Sequence, residues 1–529
     1  METTIRELVN DALKDIFALE GVPFAVERPK ELSHGDYATN AALVIANTQE
    51  VGPSEIAEQI VAYVKNHQPA MIAEVSIAGP GFINFSLAKE FFAEQTKTIL
   101  EQKNNWGSST VYQDKRILVE HSSPNLFKPF HIGHVMNNAI GESIARLAKS
   151  SGAEVKTISF PSDISLGVAK AVFVLLEKYG EDFTPTDIAV LGDAYVEGTK
   201  RYEEDEVVQK QVKEIADNLY TQTASPEWRL YQACKQFNIE YFERITQRLG
   251  SIFDDYIYES HAGEVGKKIV QENTPKVFTE SEGAIVYIPD ETRKDINTAV
   301  FINSQGNPTY EAKDIGLLSM KFGSEALDLS IFITDNQQVP HFQVVLDAAH
   351  KINSEWSDKS VHVHHGRMSF KGQKMSSRLG GVPLAETLIE TLTEETKERA
   401  PELSATSTDA IAIAALKFSI LRAMAGKDIN FDPETSLSFE GDSGPYLQYS
   451  TVRAHAILTK SAYLETKSLS GVVPAGWQTT DLEKILIHFP EVVEHAIQDW
   501  SPHFLVTYLL ELAQAFNSWY GNTKVIDET

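Results

Sequence analysis

The chain has 529 residues, a length for about three or four domains, and its 42% hydrophobic and 23% charged residues are typical of a soluble globular protein. One cysteine, Cys234, excludes an intrachain disulfide and a multi-cysteine zinc site, and it fits a reducing, cytoplasmic location. The formal net charge of −27 argues against nucleic-acid binding by bulk attraction, although local patches decide such binding.

The N-terminal segment combines a helix with glycine-punctuated pieces. An amphipathic helix is expected over 4–17, and its mixed charge is unlike that of a signal peptide. The pieces at 33–46 and 77–88 follow, and the second is expected to be a loop followed by a strand. Neither here nor later does an apolar stretch approach the ~18–20 residues of a membrane span, so we expect no membrane-spanning segment.

Residues 117–147 predict a strand, a polar loop and a helix whose apolar positions recur from Val135 onward. Backbone N–H groups at such a helix start have no intrahelical partner and lie where the helix dipole is positive. His131 and His134, with Gly133 between them, make this turn a candidate site for a nucleotide phosphate chain. Taken alone, such a histidine pair is a cap or a surface feature about as often.

Strand and helix patterns alternate through the rest of the central region. Strands are expected at 153–160, 253–260, 286–288, 298–302, 329–334 and 359–370, with a charged helical insertion at about 170–250. This alternation predicts an α/β fold with a parallel, doubly wound sheet and a ligand at the carboxyl ends of its strands. The histidines of the last strand lack a suitably spaced carboxylate or cysteine, so we expect no metal site there.

A second glycine-flanked motif, FKGQKMSSRLGG, contains Lys374. The two motifs together resemble the signatures of class I aminoacyl-tRNA synthetases. Four further pieces narrow the resemblance to arginyl-tRNA synthetases of bacterial type, over almost the whole chain: SSPNLFKPFHIGH, PTYEAKDIGLL, His-Phe shortly after Gln338, and GDSGPYLQYSTVRAHAIL.

The resemblance implies four regions. They are an α+β domain at 1–108 that touches the tRNA elbow, a Rossmann-type catalytic domain at 109–384, a helical stem at 385–440, and an all-helical anticodon-binding domain at 441–529. Related chains continue for a further helix beyond KVIDET, so the C-terminus is expected to be truncated or divergent.

The resemblance also implies the activity: L-arginine is activated by ATP with Mg²⁺, without a dedicated metal site on the protein, and transferred to tRNA(Arg). We expect a monomer that activates arginine only when tRNA is present. Phosphate contacts are assigned to His131, His134 and Lys374, and further ATP contacts to Lys128, Gly133, Met375, Ser376, Ser377 and Arg378. Ser377 stands where the family commonly has a second lysine, and Arg378 is expected to replace part of its charge.

For arginine, the resemblance assigns the guanidinium contacts to Tyr310, Asp314 and Gln338. One charge and two neutral acceptors suit a planar group with five donors, although a Tyr/Asp pair four apart is also common on helix surfaces. The α-amino end is assigned to Glu120, Ser123 and Asn125, with Glu259 as a second carboxylate near the substrate.

For tRNA, the candidates are aromatic and amide residues: Tyr37, Asn40, Phe82 and Asn84 at the elbow, and Tyr446, Gln448, Trp519 and Tyr520 in the anticodon domain. Phe82 is equally expected in a core, and the last two aromatics equally suit helix packing. The loop PSDISLGVAK has Ile164 where arginyl enzymes commonly have Trp, which leaves its contacts open.

Three other functions compete with this one at this stage. A small nucleotidyltransferase shares the first motif but lacks the long helical C-terminal region, and a cysteinyl enzyme is disfavoured by the lone cysteine. A synthetase-like tRNA-binding protein without chemistry is suggested by Ser377 and the short C-terminus.

Overall fold

The computed structural model describes residues 1–29, 31, 34–49, 51–324, 326–371, 384–461 and 478–525. Two compact units are present. The first comprises residues 1–108, 450–494 and 508–529, and the second comprises residues 109–449 and 495–507.

The N-terminal part of the first unit is a four-stranded antiparallel sheet with helices, in the order β1-β2-β4-β3. Its elements are α1 (Glu2–Phe17), β1 (Val26–Glu27), β2 (Tyr37–Thr39), α2 (Ala41–Gln49), α3 (Pro53–His67), β3 (Ile72–Ala78), β4 (Phe82–Leu87) and α4 (Lys89–Gln102). Apolar residues of α1 and α3, such as Ile5 and Ile60, pack with Phe85 of the sheet in one core. The first helix begins two residues earlier than its pattern predicts.

The second unit carries the central sheet. In chain order its elements are β5 (Arg116–Glu120), α5 (Ile132–Ser150), β6 (Glu154–Ser159), α6 (Leu166–Tyr179), α7 (Ile188–Glu204), α8 (Glu206–Tyr220), α9 (Pro226–Arg248), β7 (Asp255–Tyr256), α10 (Glu259–Glu272), β8 (Thr279–Ser281), β9 (Ala284–Tyr287), β10 (Ala299–Ile302), α11 (Tyr310–Ser324), β11 (Leu329–Asp335), α12 (Val339–Ile352), α13 (Ser354–Asp358), β12 (Ser360–His365), β13 (Met368–Phe370), α14 (Ala385–Arg399), α15 (Ala405–Leu421), β14 (Ile429–Phe431) and α16 (Pro433–Ser436).

Five strands form a parallel sheet in the order β12-β11-β5-β6-β7. Because β5 lies between the strand that follows it and a strand from much later in the chain, the sheet has a topological switch point beside β5. Such a switch point opens a crevice at the carboxyl ends of the strands, where ligands bind in this class of fold. The predicted Rossmann-type parallel sheet is confirmed.

The strand patterns at 286–288 and 298–302 do not join this sheet. They form β9 and β10, which pair antiparallel with each other and with β8 in a separate three-stranded sheet. Their assignment to parallel βα units was therefore wrong. The physical reason is that residues 288–298 contain no helix, and a parallel pair needs a crossover connection, which is usually helical.

The helical insertion consists of α6 to α9 and packs on the same hydrophobic core as β5 and α5. The C-terminal region is helical, as predicted, with α17 (Gly444–Ser461), α18 (Asp481–Leu486), α19 (Phe489–Gln498) and α20 (His503–Asn522). Among the described residues, no helix combines the length and the apolarity that a bilayer crossing requires.

Candidate functional site

The two histidines of the first motif cap the N-terminus of α5. His131 Nδ1 accepts a hydrogen bond from the Gly133 N–H (3.1 Å), and His134 Nδ1 accepts one from the His131 N–H (3.2 Å). The two rings stack with their centroids 3.8 Å apart. Burial lowers the pKa of both side chains, and the charge of Lys128 adds to this effect. Both rings are therefore neutral at pH 7, and because Nδ1 is the acceptor, each carries its proton on Nε2.

Gly133 leaves room for the His131 ring to lie close to the backbone. A Cβ at this position would lie 3.0 Å and 3.1 Å from two atoms of the His131 ring. Lys128 lies in the same loop, with its Nζ 4.3 Å from the centre of the Tyr195 ring of α7. Tyr195 of the helical insertion therefore contacts Lys128, the loop residue whose charge lowers the pKa of both histidines.

The segment that contains Lys374, Met375, Ser376, Ser377 and Arg378 lies outside the described residues, but its two ends do not. At one end, the Lys371 N–H donates to the Phe431 carbonyl (2.8 Å). At the other end, Leu384 forms an antiparallel bridge with His131, and the Ala385 N–H donates to the Phe130 carbonyl (2.8 Å). Leu384 and Ala385, which follow the second motif in the chain, therefore lie directly beside the first motif.

The loop with the unusual Ile164 has a structural role. Asp163 is buried and accepts hydrogen bonds from Lys235 Nζ (2.8 Å), Tyr231 Oη (3.2 Å) and both the N–H and hydroxyl of Ser260. Ile164 is itself buried in the core that contains α6 and α9. This carboxylate thus joins the β6 loop to the insertion and to the start of α10.

The residues assigned to the α-amino end of arginine lie at the end of β5 and in the loop after it. Glu120, the last residue of that strand, is buried and forms an ion pair with Lys321 of α11. Ser123 Oγ accepts from the Phe160 N–H (3.1 Å), and Asn125 is exposed and bridges to Ser162. Ser123 and Asn125 thus tie the loop after β5 to the loop after β6.

Glu259, the first residue of α10, is also buried, and its carboxylate already has hydrogen-bond partners within the protein. Its Oε2 accepts from Lys313 Nζ (2.7 Å) and from Ser162 Oγ (2.9 Å). Burial raises the pKa of Glu259, and Lys313 opposes that effect. Glu120 and Glu259 are therefore both neutralised by lysines of one helix, α11.

Asp314, one of the three guanidinium candidates, contacts His341, a residue to which the sequence assigned no role. Asp314 Oδ2 lies 2.6 Å from His341 Nε2, and Gln338 precedes this histidine by one turn at the start of α12. Tyr310, one turn before Asp314, is 57% exposed. Among the described residues, Asp314 Oδ1 makes no hydrogen bond and remains available. The only sequence signal for His341 is the His-Phe pair after Gln338.

The tRNA candidates at the N-terminal sheet are placed differently from one another. Tyr37 is 2% exposed, and its hydroxyl donates to Glu491 (2.8 Å), so it has no face to offer a base. This burial corrects the expectation for Tyr37, because residues of β2 that alternate inward are core residues. Asn40 Oδ1 accepts from the Ala25 N–H (2.8 Å). Phe82 is 40% exposed and lines a cavity of about 360 Å³ together with Asn84.

The C-terminal candidates are partly accessible. Trp519 lines a groove of about 610 Å³ in the first unit, and Tyr520 is 38% exposed beneath the Arg453 guanidinium (4.9 Å). Tyr446 and Gln448 lie in the first turns of α17, where Gln448 Nε2 donates weakly to the Ala410 carbonyl (3.4 Å). Within the described part of the chain, no three His, Cys, Asp or Glu side chains are grouped to hold a metal ion.

Comparison with known proteins gives three matching family models. "Arginyl tRNA synthetase N terminal domain" matches residues 3–87, "tRNA synthetases class I (R), catalytic domain" matches residues 95–432, and "DALR anticodon binding domain" matches residues 447–529. Curated relatives named arginine–tRNA ligase include one from Treponema denticola, 30% identical over 95% of this chain and 88% of its own, and one from Borreliella burgdorferi, 28% identical over 98% and 91%.

Solved structures agree in fold. The arginyl-tRNA synthetase of Thermus thermophilus matches with a TM-score of 0.77 and 24% identity over 99% of this chain and 92% of its own. The enzyme of Plasmodium falciparum matches with a TM-score of 0.79 and 19% identity over 99% and 93%. Because the catalytic-domain model spans more than half of the sequence and the relatives align along nearly all of it, the chain belongs to the class I arginyl-tRNA synthetase family.

Proposed function

We propose that this chain is an arginine–tRNA ligase, which activates L-arginine with ATP and transfers it to the 3′ end of tRNA(Arg), releasing diphosphate and AMP. The proposal rests on one observation: polar groups from distant parts of the chain follow the carboxyl ends of strands in the same sheet. His131 follows the carboxyl end of β5, Glu259 follows β7, and Gln338 follows β11. These are strands of one parallel sheet. Helix α11, which carries Tyr310 and Asp314, is joined to Glu259 through Lys313 and to His341 through Asp314.

In the first step, a carboxylate oxygen of arginine attacks the α-phosphorus of ATP, and the bond to the β-phosphate oxygen breaks. In reactions of this kind, the protein contributes mainly by positioning the reactants and by stabilising the charge that develops. The two Nε2–H groups of His131 and His134 are suited to donate to phosphate oxygens, because the caps on Nδ1 fix the tautomer before ATP arrives. Lys374, in the segment that ends beside His131, supplies an ammonium for the departing diphosphate. Mg²⁺ would enter with ATP and neutralise its phosphates.

In the second step, a ribose hydroxyl at the tRNA 3′ end attacks the arginyl carbonyl carbon, and AMP leaves. The exposed face of Phe82 and the groove at Trp519 support binding of tRNA outside the catalytic unit, since aromatic faces stack on unpaired bases. At a net charge of −27, this binding relies on local contacts and is expected to weaken steeply with salt.

Arginine is selected by its side chain. Asp314 Oδ1 provides the charged acceptor, and Tyr310 and Gln338 provide the neutral ones, which matches a guanidinium better than an ammonium. Because Glu120 and Glu259 are paired with lysines, either the α-amino group displaces Lys321 from Glu120 or it binds to the Ser123 and Asn125 loop.

Charging of tRNA tests the proposal. Purified chain, ATP, Mg²⁺ and tRNA(Arg) are mixed with each of the radiolabelled amino acids arginine, lysine, glutamine and cysteine, and acid-precipitable label is counted. The proposal predicts label on tRNA with arginine alone. Binding of tRNA without charging would favour a synthetase-like protein without chemistry, and adenylation of arginine without tRNA would favour a nucleotidyltransferase.

A further inference from the structure

Both ring nitrogens of His341 face carboxylates of one helix. Nε2 lies 2.6 Å from Asp314 Oδ2, and Nδ1 lies 3.5 Å from Glu311 Oε1. These two acidic residues are three apart on α11, so they lie on one face of it. A neutral imidazole has one N–H and would turn a lone pair toward one of the carboxylates. The arrangement therefore suits the doubly protonated ring.

Among the described residues, the ionisable groups that interact with this triad of Glu311, His341 and Asp314 include His362 and the Glu259–Lys313 pair. Phe342 packs edge-on to the His341 ring, with centroids 4.9 Å apart. His362 of β12 also packs against Phe342, with ring centroids 4.9 Å apart. Its Nε2 is bonded to Thr334 Oγ1 (2.7 Å), and burial lowers its pKa to about 4, so it is neutral. Beside Asp314 on α11, Lys313 is paired with Glu259 and adds no net charge.

The charges of this triad sum to one net negative charge. Glu311 and Asp314 contribute two negative charges and the His341 imidazolium one positive charge, which leaves one net negative charge. Although burial lowers the pKa of His341, its hydrogen bonds to Asp314 and Glu311 raise it to about 9, in agreement with the geometry. One guanidinium brings one positive charge.

We propose that His341 is a positioning residue that matches the guanidinium site to a single cation, by holding Oδ2 of Asp314 and neutralising Glu311 so that Oδ1 receives the substrate. This inference rests on the proposed function and assigns it a further specificity determinant. A neutral isostere of arginine such as citrulline would leave the net negative charge of the site without a partner, and a buried unpaired charge is costly. The site therefore discriminates by charge as well as by shape.

Two single variants and their combination test this count. Glu311→Gln leaves His341 and Asp314 to cancel each other, and we expect the KM for arginine to rise about tenfold, the size of a typical coupling between contacting charges. His341→Gln leaves Asp314 Oδ2 without its fixed partner and beside a second uncompensated carboxylate. Because the two like charges repel each other and displace the Asp314 carboxylate, we expect the KM for arginine to rise by about the same factor. The double variant restores one net negative charge, so its KM for arginine should be lower than that of either single variant.

Comparing the KM for arginine with the KM for ATP distinguishes a positioning role of His341 from general damage to the enzyme. The KM for ATP and kcat should stay within about twofold of wild type, because an interaction present equally in the ground and transition states changes KM alone. His350→Gln, a histidine substitution on the exposed face of the same helix, is the matched control and should leave the KM for arginine unchanged. Glu311 is partly exposed, so its variant remains informative even where the His341 variant fails to fold.

The outcomes are distinguishable from those of the proposed function. Wild-type chain that charges tRNA with arginine, together with single variants that keep the wild-type KM or a double variant whose losses simply add, would overturn the role of His341 alone. Wild-type chain that does not charge tRNA with arginine would overturn the proposed function itself.

Discussion

The backbone of His131 is bridged to that of Leu384, the first described residue after the segment that carries Lys374. The Ala385 N–H adds a hydrogen bond of 2.8 Å to the Phe130 carbonyl. The two motifs are more than 200 residues apart in the chain, and these contacts bring their ends together. The pairing supplies a physical reason to expect that both motifs act on one phosphate chain.

Ala385→Pro tests this tether without breaking the helix that follows. Ala385 is the first residue of α14, where proline is well tolerated, and Leu384 before it already has the extended backbone (φ −71°, ψ 142°) that a following proline requires. The substitution removes the N–H that reaches Phe130. We expect kcat for arginine activation to fall about tenfold to a hundredfold because the lysine segment shifts.

Ala405→Pro is the control for that variant. It places proline at the first residue of α15, after Ser404 with a similar extended backbone (φ −68°, ψ 157°), and it should leave kcat near the wild-type value. Equal activity of the two proline variants, measured by pyrophosphate exchange at matched stability, would show that the tether does not position the lysine segment.

His131 has two separable roles, as a helix cap and as a phosphate donor. Asparagine is a good N-cap but has no group equivalent to Nε2–H at the same reach, whereas alanine lacks both functions. His131→Asn and His131→Ala should therefore lose activity alike, by about a hundredfold or more. Only the alanine variant should lose stability, by about 1 kcal/mol. Urea unfolding and steady-state kinetics on the same preparations measure both, and an Asn variant with near wild-type kcat would remove the donor role.

His121 predicts how stability depends on pH. It is fully buried behind α5, and burial lowers its pKa to about 3, whereas an unfolded histidine titrates near ~6.5. The unfolded chain therefore takes up a proton first as the pH falls. The stability from neutral His121 is complete above about 6.5 and is lost progressively toward pH 3, with about 2 kcal/mol gone at pH 5.

The variant His121→Asn keeps a polar atom toward Ser122 but does not titrate in this range. It should be less stable than wild type at pH 7, yet the difference in its unfolding free energy between pH 7 and pH 5 should be smaller by about 2 kcal/mol. The exposed His350→Gln should keep the wild-type difference. An unchanged difference in the His121 variant would mean that this buried imidazole does not set the acid sensitivity.

Variants of Phe82 and of Tyr37 should have opposite effects, one on tRNA binding alone and the other on stability alone. Phe82 is 40% exposed, so Phe82→Ala is expected to raise the KM for tRNA about tenfold, the effect of one lost base–aromatic stack, at an unchanged melting temperature. Tyr37→Phe removes a buried hydroxyl from Glu491 and should cost about 1–3 kcal/mol of stability with an unchanged KM for tRNA. The reverse pattern would reinstate Tyr37 as a tRNA contact.

Local patterns in the sequence predicted the elements that carry the site, but not their exact bounds. The apolar run at 117–119 became β5, and the helix expected from Val135 begins three residues earlier, at Ile132. The difference arises because the side chains of His131 and His134 cap the helix. The spacing of apolar residues does not reveal a first turn that is fixed by polar side chains.

Contacts between distant residues were beyond sequence reasoning. Lys321 and Glu120 are 201 residues apart, and their charges alone do not indicate that they pair. His341 was visible within a motif, but its role depends on how α12 packs on α11, 27 residues away in sequence. Tyr37 was wrongly assigned to a tRNA contact, because an aromatic residue near glycine and asparagine suits a base contact and a core equally well.

Pyrophosphate exchange tests the central claim most directly, because it follows arginine activation at this one site. Exchange of label from diphosphate into ATP should require arginine, ATP and tRNA(Arg) together, and Asp314→Ala should abolish it while ATP binding is retained. No exchange by the wild-type chain with all three present, or wild-type exchange kinetics in arginine by the Asp314 variant, would contradict the account.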